Sequence, residues 1–204
     1  SPDMAEATHA TRVLALQRAA QRREGAPSLK IRRERLKQLA DMVRAKGDEF
    51  AKAISADFGN RSQFETALLE SMVLLSAIRY ARKQVGWWMQ PSPRDVDFAF
   101  WPGSAWVRHE PLGVVGIISP WNYPWLLALD EIATALMAGN GVIFKPASLT
   151  ALIGQMIQEV FDEAGLPEGL MRTVHGGGRV GQAMVDDPGV GKIFFTGSVE
   201  VGRS

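Results

Sequence analysis

The stretch "GVVGIISPWNYP", residues 113–124, joins an apolar run to a polar turn and decides the fold class. Its first part is rich in Val and Ile without polar alternation, which is typical of a strand buried on both faces of a parallel sheet. The turn that follows sets Asn122 among two aromatic residues and two prolines. A buried amide needs hydrogen-bond partners, so Asn122 has two possible roles: turn chemistry or reaction chemistry.

Strands and helices alternate from this stretch to the end of the chain. This alternation predicts an α/β fold with an incomplete Rossmann-like parallel sheet and helices on its faces. The predicted strands are 113–119, 141–145, 171–176 and 192–196. The predicted helices are 125–138, 150–164 and 178–187, with a last helix beginning near 197.

Residues 1–93 are predicted to be helical. Apolar residues recur at helical spacing in three segments, and we expect no polar residues on their buried faces, which indicates packing rather than chemistry. Breaks are expected at 25–27 and at Gly59, and Ser62 with Glu65 occupies capping-box positions before the third helix. That third helix is expected to run without interruption to a stop before Pro91.

Residues 94–112 alternate and contain a Pro-Gly pair at 102–103, which predicts a projecting β-hairpin. A ribbon of this kind often pairs with another chain, so we expect it to serve in oligomerisation. The predicted organisation is therefore a helical part (1–93), a β-ribbon (94–112) and an α/β part (113–204).

The composition excludes several classes of site. The 204 residues contain no cysteine, which rules out disulfides and thiolate metal ligands within them and fits a cytoplasmic protein. The net charge is +1, so nothing suggests a nucleic-acid or membrane partner. The three histidines are scattered without metal-ligand spacing, and no metal site is predicted.

Polar residues lie at the ends of three predicted strands, and ligands of open parallel sheets bind at such ends. Asn122 is the first. Lys145, held before Pro146, is either a solvated strand-end lysine or a donor to a ribose hydroxyl or a phosphate. In "TGSVEVG" (196–202), glycines allow a close backbone approach to a phosphate, and Ser198 either caps the helix or donates to that phosphate. The motif is neither a P-loop nor GxGxxG.

Three blocks carry a resemblance to the aldehyde dehydrogenase superfamily, covering roughly residues 30–204. They are "EPLGVVGIISPWNYP" (110–124), "AGNGVIFKPAS" (138–148) and "IFFTGSVEVGR" (193–203). The sequence looks like the N-terminal portion of a member from the fatty and aromatic aldehyde branch, such as the coniferyl aldehyde dehydrogenases. The resemblance implies NAD(P)-dependent oxidation of an aldehyde by a cysteine nucleophile, with a glutamate that activates water.

The resemblance also implies roles for individual residues. Asn122 is the side-chain donor of the oxyanion hole, and Lys145 contacts the adenosine ribose. The remaining cofactor-binding positions are Ser119 and Trp121 in the cleft, Gly177 and Val201 beside the adenine, and Gly197, Ser198 and Gly202 in the pyrophosphate turn.

Ser148 departs from the pattern of many NAD-preferring relatives, which carry a ribose-binding glutamate at this position. Without that carboxylate, repulsion toward a 2′-phosphate is absent, and we predict that NADP is accepted alongside NAD.

A second departure concerns catalysis. The family's cysteine and glutamate lie downstream of the 196–202 block, and this chain contains no cysteine and ends at Ser204. We therefore expect an N-terminal part without the catalytic domain, inactive by itself, from a homo-oligomeric enzyme. The alternative is a non-catalytic nucleotide-binding or assembly module. A related reductase of acyl phosphates is disfavoured by the asparagine of "PWNYP" and by "FKPAS".

Overall fold

The computed structural model describes residues 2–58 and 62–203 and contains helices followed by alternating strands and helices. The helices are α1 (Pro2–Glu24), α2 (Leu29–Phe58), α3 (Gln63–Thr66), α4 (Met72–Trp88), α5 (Pro124–Met137), α6 (Ala151–Glu163), α7 (Gly178–Asp186) and α8 (Val199–Gly202). The strands are β1 (Ser92–Arg94), β2 (Ala105–Val107), β3 (Val114–Ile118), β4 (Gly141–Lys145), β5 (Met171–Thr173) and β6 (Val190–Phe195).

Strands β3 to β6 form one parallel sheet in the order β5-β4-β3-β6, which confirms the predicted fold class. The chain moves outward from β3 through β4 to β5 and then returns to pair β6 on the other side of β3. The strand order therefore reverses between β3 and β6. Ligands of open α/β sheets bind in the crevice beyond the strand ends at such a switch point.

The two central strands are buried on both faces, which explains their unbroken apolar sequence. Val115 and Phe144 face a core shared with α2, α4, α5 and α6. Val114 and Ile143 face a second core shared with α1 and α7. Because successive side chains of a strand point to opposite faces, both helix layers draw on the same ten or so residues of β3 and β4.

The N-terminal helices have the predicted bounds within a few residues. Helix α1 ends at Glu24, where Gly25 adopts φ 68°, and α4 ends at Trp88. The amide of Glu65 donates to the Ser62 hydroxyl (3.4 Å), as expected at a capping position. Gly59, the expected stop of the second helix, lies outside the described residues.

Two expectations for these helices are wrong. The third helix is interrupted by a π-helical turn, Ala67–Ser71. The buried faces also carry polar residues: Gln17 and Glu70 are both buried. Gln17 is tolerated because its amide donates to the carbonyls of Val142 (2.6 Å) and Gly169 (3.0 Å). Apolar periodicity does not show such partners, since they come from distant segments.

Strands β1 and β2 form the predicted antiparallel hairpin, which begins two residues earlier than expected, with Ser92 opposite Val107. Its loop contains a 3₁₀ turn, Phe98–Phe100, and Phe98 is 90% exposed. The three-part division of the chain stays a prediction. Among the described residues, no helix combines the length and apolar character needed to cross a membrane.

Candidate functional site

The ends of β4, β3 and β6, which precede the three polar segments found in the sequence, lie side by side. The amide of Ser119 donates to the Lys145 carbonyl (3.2 Å), and the amide of Thr196 donates to the Ile118 carbonyl (3.1 Å). Ile118 is in register with both Lys145 and Phe195. The segments that carry Asn122, Lys145 and the 196–202 turn therefore start from neighbouring points at one edge of the sheet.

Asn122 lies in an exposed turn between β3 and α5. Tyr123 closes this turn in the left-handed conformation (φ 48°, ψ 53°), and it is the one non-glycine residue with positive φ in the part of the chain that the structure describes. Such a conformation costs about 1–2 kcal/mol outside glycine. The next residue, Pro124, begins α5, a position where its missing N–H costs nothing. The backbone is therefore held in an unfavourable shape where the predicted oxyanion donor lies.

Lys145 is not the solvated lysine that the sequence left as an alternative. Its side chain is buried (8% exposed), and its Nζ donates to the Pro146 carbonyl at 3.5 Å, a long hydrogen bond. Burial lowers the pKa of this ammonium from its ordinary value. A buried cation held by one weak bond is suited to an additional acceptor from a ligand.

Ser119 provides a second polar group at this edge. Its hydroxyl is buried, and it has no hydrogen-bond partner among the described residues. Ser119 follows β3 directly, and its backbone amide donates a hydrogen bond to the backbone carbonyl of Lys145. An ammonium and an unpartnered hydroxyl at the switch point fit the hydroxyls and phosphates of a dinucleotide.

Of the two roles that the sequence left open for Ser198, the structure shows helix capping. The Ser198 hydroxyl oxygen accepts the amide of Val201 (3.3 Å) and caps the four-residue helix α8, while its hydroxyl hydrogen can still donate. A Cβ at Gly197 would stand 2.6 Å from the Phe195 ring, so glycine lets the turn fold closely over this ring.

The other predicted cofactor residues lie along the same edge on their own segments. Ser148 is exposed and opens a 3₁₀ turn shortly after β4, and Gly177 precedes α7, which follows β5. Trp121 and Val201 are exposed, and Gly202 ends α8. The common contact of Gly177 and Val201 with an adenine stays a prediction.

Glu131 of α5 is a residue at this site that sequence patterns missed. Its carboxylate accepts the hydroxyl of Thr196 (3.0 Å), which ties α5 to the end of β6. Burial raises the pKa of Glu131, the hydrogen bond from Thr196 opposes this, and the nearby Asp130 adds to the rise. An acidic residue on an amphipathic helix ordinarily indicates a solvated face, so no local signal marked it.

Comparison with known proteins identifies the family. The model of the aldehyde dehydrogenase family matches residues 2–204. The chain belongs to the aldehyde dehydrogenase family. Over 191 residues it is 38% identical to a probable coniferyl aldehyde dehydrogenase of Pseudomonas aeruginosa, covering 94% of this chain and 40% of that protein. It is also 38% identical to a geranial dehydrogenase of Castellaniella defragrans, over 85% of this chain and 36% of that protein.

The fold of this aldehyde dehydrogenase chain also matches solved structures. The structure of PnpE in complex with nicotinamide adenine dinucleotide superposes with a TM-score of 0.87 at 31% identity, covering 97% of this chain and 40% of that one. The chain thus spans about two fifths of the length of the relatives it matches. No group of His, Cys, Asp and Glu side chains suited to a metal ion occurs among the described residues.

Proposed function

We propose that the natural protein carrying this chain oxidises an aldehyde to the carboxylic acid with NAD or NADP. The observation that supports this most directly is that the segments carrying Asn122, Lys145 and the 196–202 turn start from neighbouring strand ends in a member of this family. The chain would supply the nucleotide-binding edge and one oxyanion donor. The nucleophilic cysteine and the glutamate base would come from residues outside these 204, which contain no cysteine.

Asn122 is proposed to act on the substrate. When a thiolate adds to an aldehyde, negative charge develops on the carbonyl oxygen, and a preorganised amide N–H lowers the energy of that state. The fixed backbone on either side of Asn122 supports this role, because a donor must already be in place when the charge forms. Such a donor is worth about 10²–10³ in kcat.

Lys145, Ser119 and Ser198 are proposed to hold the dinucleotide. The nicotinamide ring, when bound, accepts the hydride that the oxidation releases. Lys145 would donate to the adenosine ribose and Ser198 to the pyrophosphate, while Ser119 and Trp121 would line the cleft. Ser148 leaves room for a 2′-phosphate, so both NAD and NADP are proposed cofactors.

The proposed substrate is an aromatic aldehyde of the coniferyl type. This follows the names of the coniferyl aldehyde dehydrogenases among the relatives rather than a contact in this chain. We also propose a homo-oligomer, a dimer or tetramer, that uses the exposed hairpin. The cytoplasm is the proposed compartment, because proteins of oxidising compartments often carry disulfides and these residues contain no cysteine.

A second candidate is a non-catalytic nucleotide-binding or assembly module. The observation that favours it is the absence of cysteine from all 204 residues. It predicts NAD(P) binding without turnover, and the chain by itself is proposed to be inactive under either candidate.

The test begins with the intact mass of the natural protein, followed by an assay of coniferyl-type and aliphatic aldehydes with both cofactors. A mass well above 22.3 kDa together with formation of reduced cofactor supports the dehydrogenase. A mass near 22.3 kDa with dinucleotide binding and no turnover supports the module. Failure to bind either dinucleotide would overturn both.

A further inference from the structure

Glu70 belongs to the π-helical turn before α4 and is fully buried (0% exposed). Its carboxylate lies against the start of α5, directly beyond the Asn122 turn. Its Oε2 accepts the backbone amides of Trp125 (3.0 Å) and Leu126 (2.9 Å). Hydrogen bonds from backbone amides to a carboxylate are about twice as strong as neutral ones. The positive end of the helix dipole strengthens them further.

These bonds complete the hydrogen bonding at the beginning of α5. The first amides of a helix have no partner within it. Pro124 has no N–H, and the Leu127 amide donates to the Tyr123 carbonyl (3.1 Å). The amides of Trp125 and Leu126 are the two that remain, and Glu70 accepts both.

The π-helical turn Ala67–Ser71 places Glu70 where it can reach α5. A π turn shifts the phase of the side chains that follow it, and such turns occur frequently at functional sites. Glu70 lies inside this turn, and its buried carboxylate reaches the first amides of α5.

The Asn122 turn is thus anchored at both ends. On the sheet side, the Ser119 amide is bonded to the Lys145 carbonyl. On the helix side, Glu70 holds the amide of Trp125, whose ring is buried against Phe50 of α2. Between the anchors lies the left-handed Tyr123, whose unfavourable conformation needs such support.

We infer that Glu70 is a positioning residue that fixes Asn122 for its role as oxyanion donor. The inference rests on the proposed function, because it assigns Glu70 a purpose in that reaction. Glu70 does not touch substrate or cofactor. It acts through the backbone of α5, three residues beyond Asn122 at its nearer contact.

The first test is hydrogen–deuterium exchange of the natural protein, which needs no turnover. Glu70→Ala should accelerate exchange in a peptide spanning 121–128 about tenfold or more, because two charge-assisted bonds are lost. Glu70→Gln keeps an acceptor oxygen and should accelerate it only about threefold. The matched control is Glu65→Ala, an exposed glutamate of the same segment, which should leave this peptide unchanged.

The second test separates positioning from general stability by kinetics. Glu70→Ala should lower kcat about tenfold to a hundredfold while the KM for NAD(P) stays unchanged, and Glu70→Gln should restore most of the rate. If Glu70 acts through Asn122, Glu70→Ala combined with Asn122→Ala should be no slower than Asn122→Ala alone, within about threefold.

Several results would overturn the inference. They are unchanged exchange in 121–128, equal loss of protection across the whole protein in both Glu70 variants, or multiplicative losses of kcat in the double variant. If no aldehyde is turned over, the proposed function fails, but local acceleration of 121–128 would still show that Glu70 fixes the turn. Oxyanion positioning would then be withdrawn, because there would be no reaction for Asn122 to serve.

Discussion

Two places in the molecule each bury a charged side chain, and the hydrogen bonding of the two charges differs. One is the junction where the π-helical turn before α4 meets the start of α5, which buries Glu70. The other is the carboxyl edge of the sheet at the end of β4, which buries Lys145. Glu70 at the junction accepts two short hydrogen bonds from the backbone, whereas Lys145 at the edge makes one long bond to the next carbonyl. Buried charges are costly unless they are paired or hydrogen-bonded. The junction satisfies its charge within the chain, and the edge leaves its charge available to a ligand.

The difference divides the molecule into a part that sets the shape of the site and a part proposed to bind the dinucleotide. Variants at the junction should change local stability and order. Variants at the edge should change binding or rate while leaving the fold intact. Five positions in the natural protein allow this division to be tested.

Two asparagines give the sharpest contrast. Asn122→Ala should lower kcat about 10²–10³-fold with little change in melting temperature, because the side chain is exposed and its proposed role is in the transition state. Asn140→Ala should lower the melting temperature and change kcat little, because the buried side-chain oxygen of Asn140 accepts the Leu112 amide (2.7 Å). Loss of that bond should cost about 1–3 kcal/mol of unfolding free energy. Steady-state kinetics and thermal unfolding measure both, and a normal rate in Asn122→Ala would break the division.

Lys145→Met should weaken dinucleotide binding about tenfold to a hundredfold, because it removes a charged donor while keeping the apolar stem. The melting temperature should stay the same or rise, since the cost of burying the ammonium disappears. Calorimetric titration with NAD and NADP measures the affinity. Lys192→Met is the control at an exposed lysine of β6. Lower stability with unchanged affinity would show that Lys145 is structural.

Ser148→Glu should shift cofactor preference toward NAD by about tenfold, because a carboxylate accepts ribose hydroxyls and repels a 2′-phosphate. The unmodified protein should use NAD and NADP with comparable kcat/KM. Exposed Ser76 of α4 offers the matched Ser→Glu control. Strict use of NAD by the unmodified protein would contradict the proposed role of Ser148.

Glu131 gives the smallest effect, a pH dependence of stability. Burial raises the pKa of Glu131 above its ordinary value of 4.5. The protonated carboxyl therefore contributes its full share to folded-state stability below pH 4.5, and this stability is lost as pH rises through the folded-state pKa. The melting temperature should therefore fall relative to that of Glu131→Gln as pH rises through this window. Exposed Glu34→Gln should leave the profile unchanged. Parallel profiles for Glu131→Gln and the unmodified protein would show that the carboxylate carries no burial penalty.

Much of the fold could be predicted from local patterns. The strand predicted over 141–145 has those bounds, and the one predicted over 192–196 is β6, Val190–Phe195. Helices α5 and α6 end where glycine follows, at Gly139 (φ 89°) and Gly165 (φ 71°). These features depend on hydrophobic period and on the φ freedom of glycine, which short windows of sequence carry.

The candidate site was predicted less completely. The residue types at the strand ends were visible, but the partners that hold them were not. Glu70 lies in a segment with the pattern of an ordinary helix, and its partner Trp125 is 55 residues away. Glu131 and Thr196 are separated by 65 residues. Neither pairing has a local signature, since each carboxylate resembles a solvated one until the tertiary contact is known.

The order of helices and strands, the family and the chemical groups at each strand end could all be read from the amino-acid sequence. Hydrophobic period and glycine positions indicate the order of the elements, and the resemblance of three sequence blocks indicates the family. Only the tertiary structure decided that β6 lies beside β3 rather than beyond β5, which brings the segments of Asn122 and Ser198 to the same crevice. It also decided that the buried Glu70 accepts two backbone hydrogen bonds, whereas the buried Lys145 makes one long one. The physical reason is that burial and hydrogen-bond partners depend on neighbours in space, and these come from distant parts of the chain.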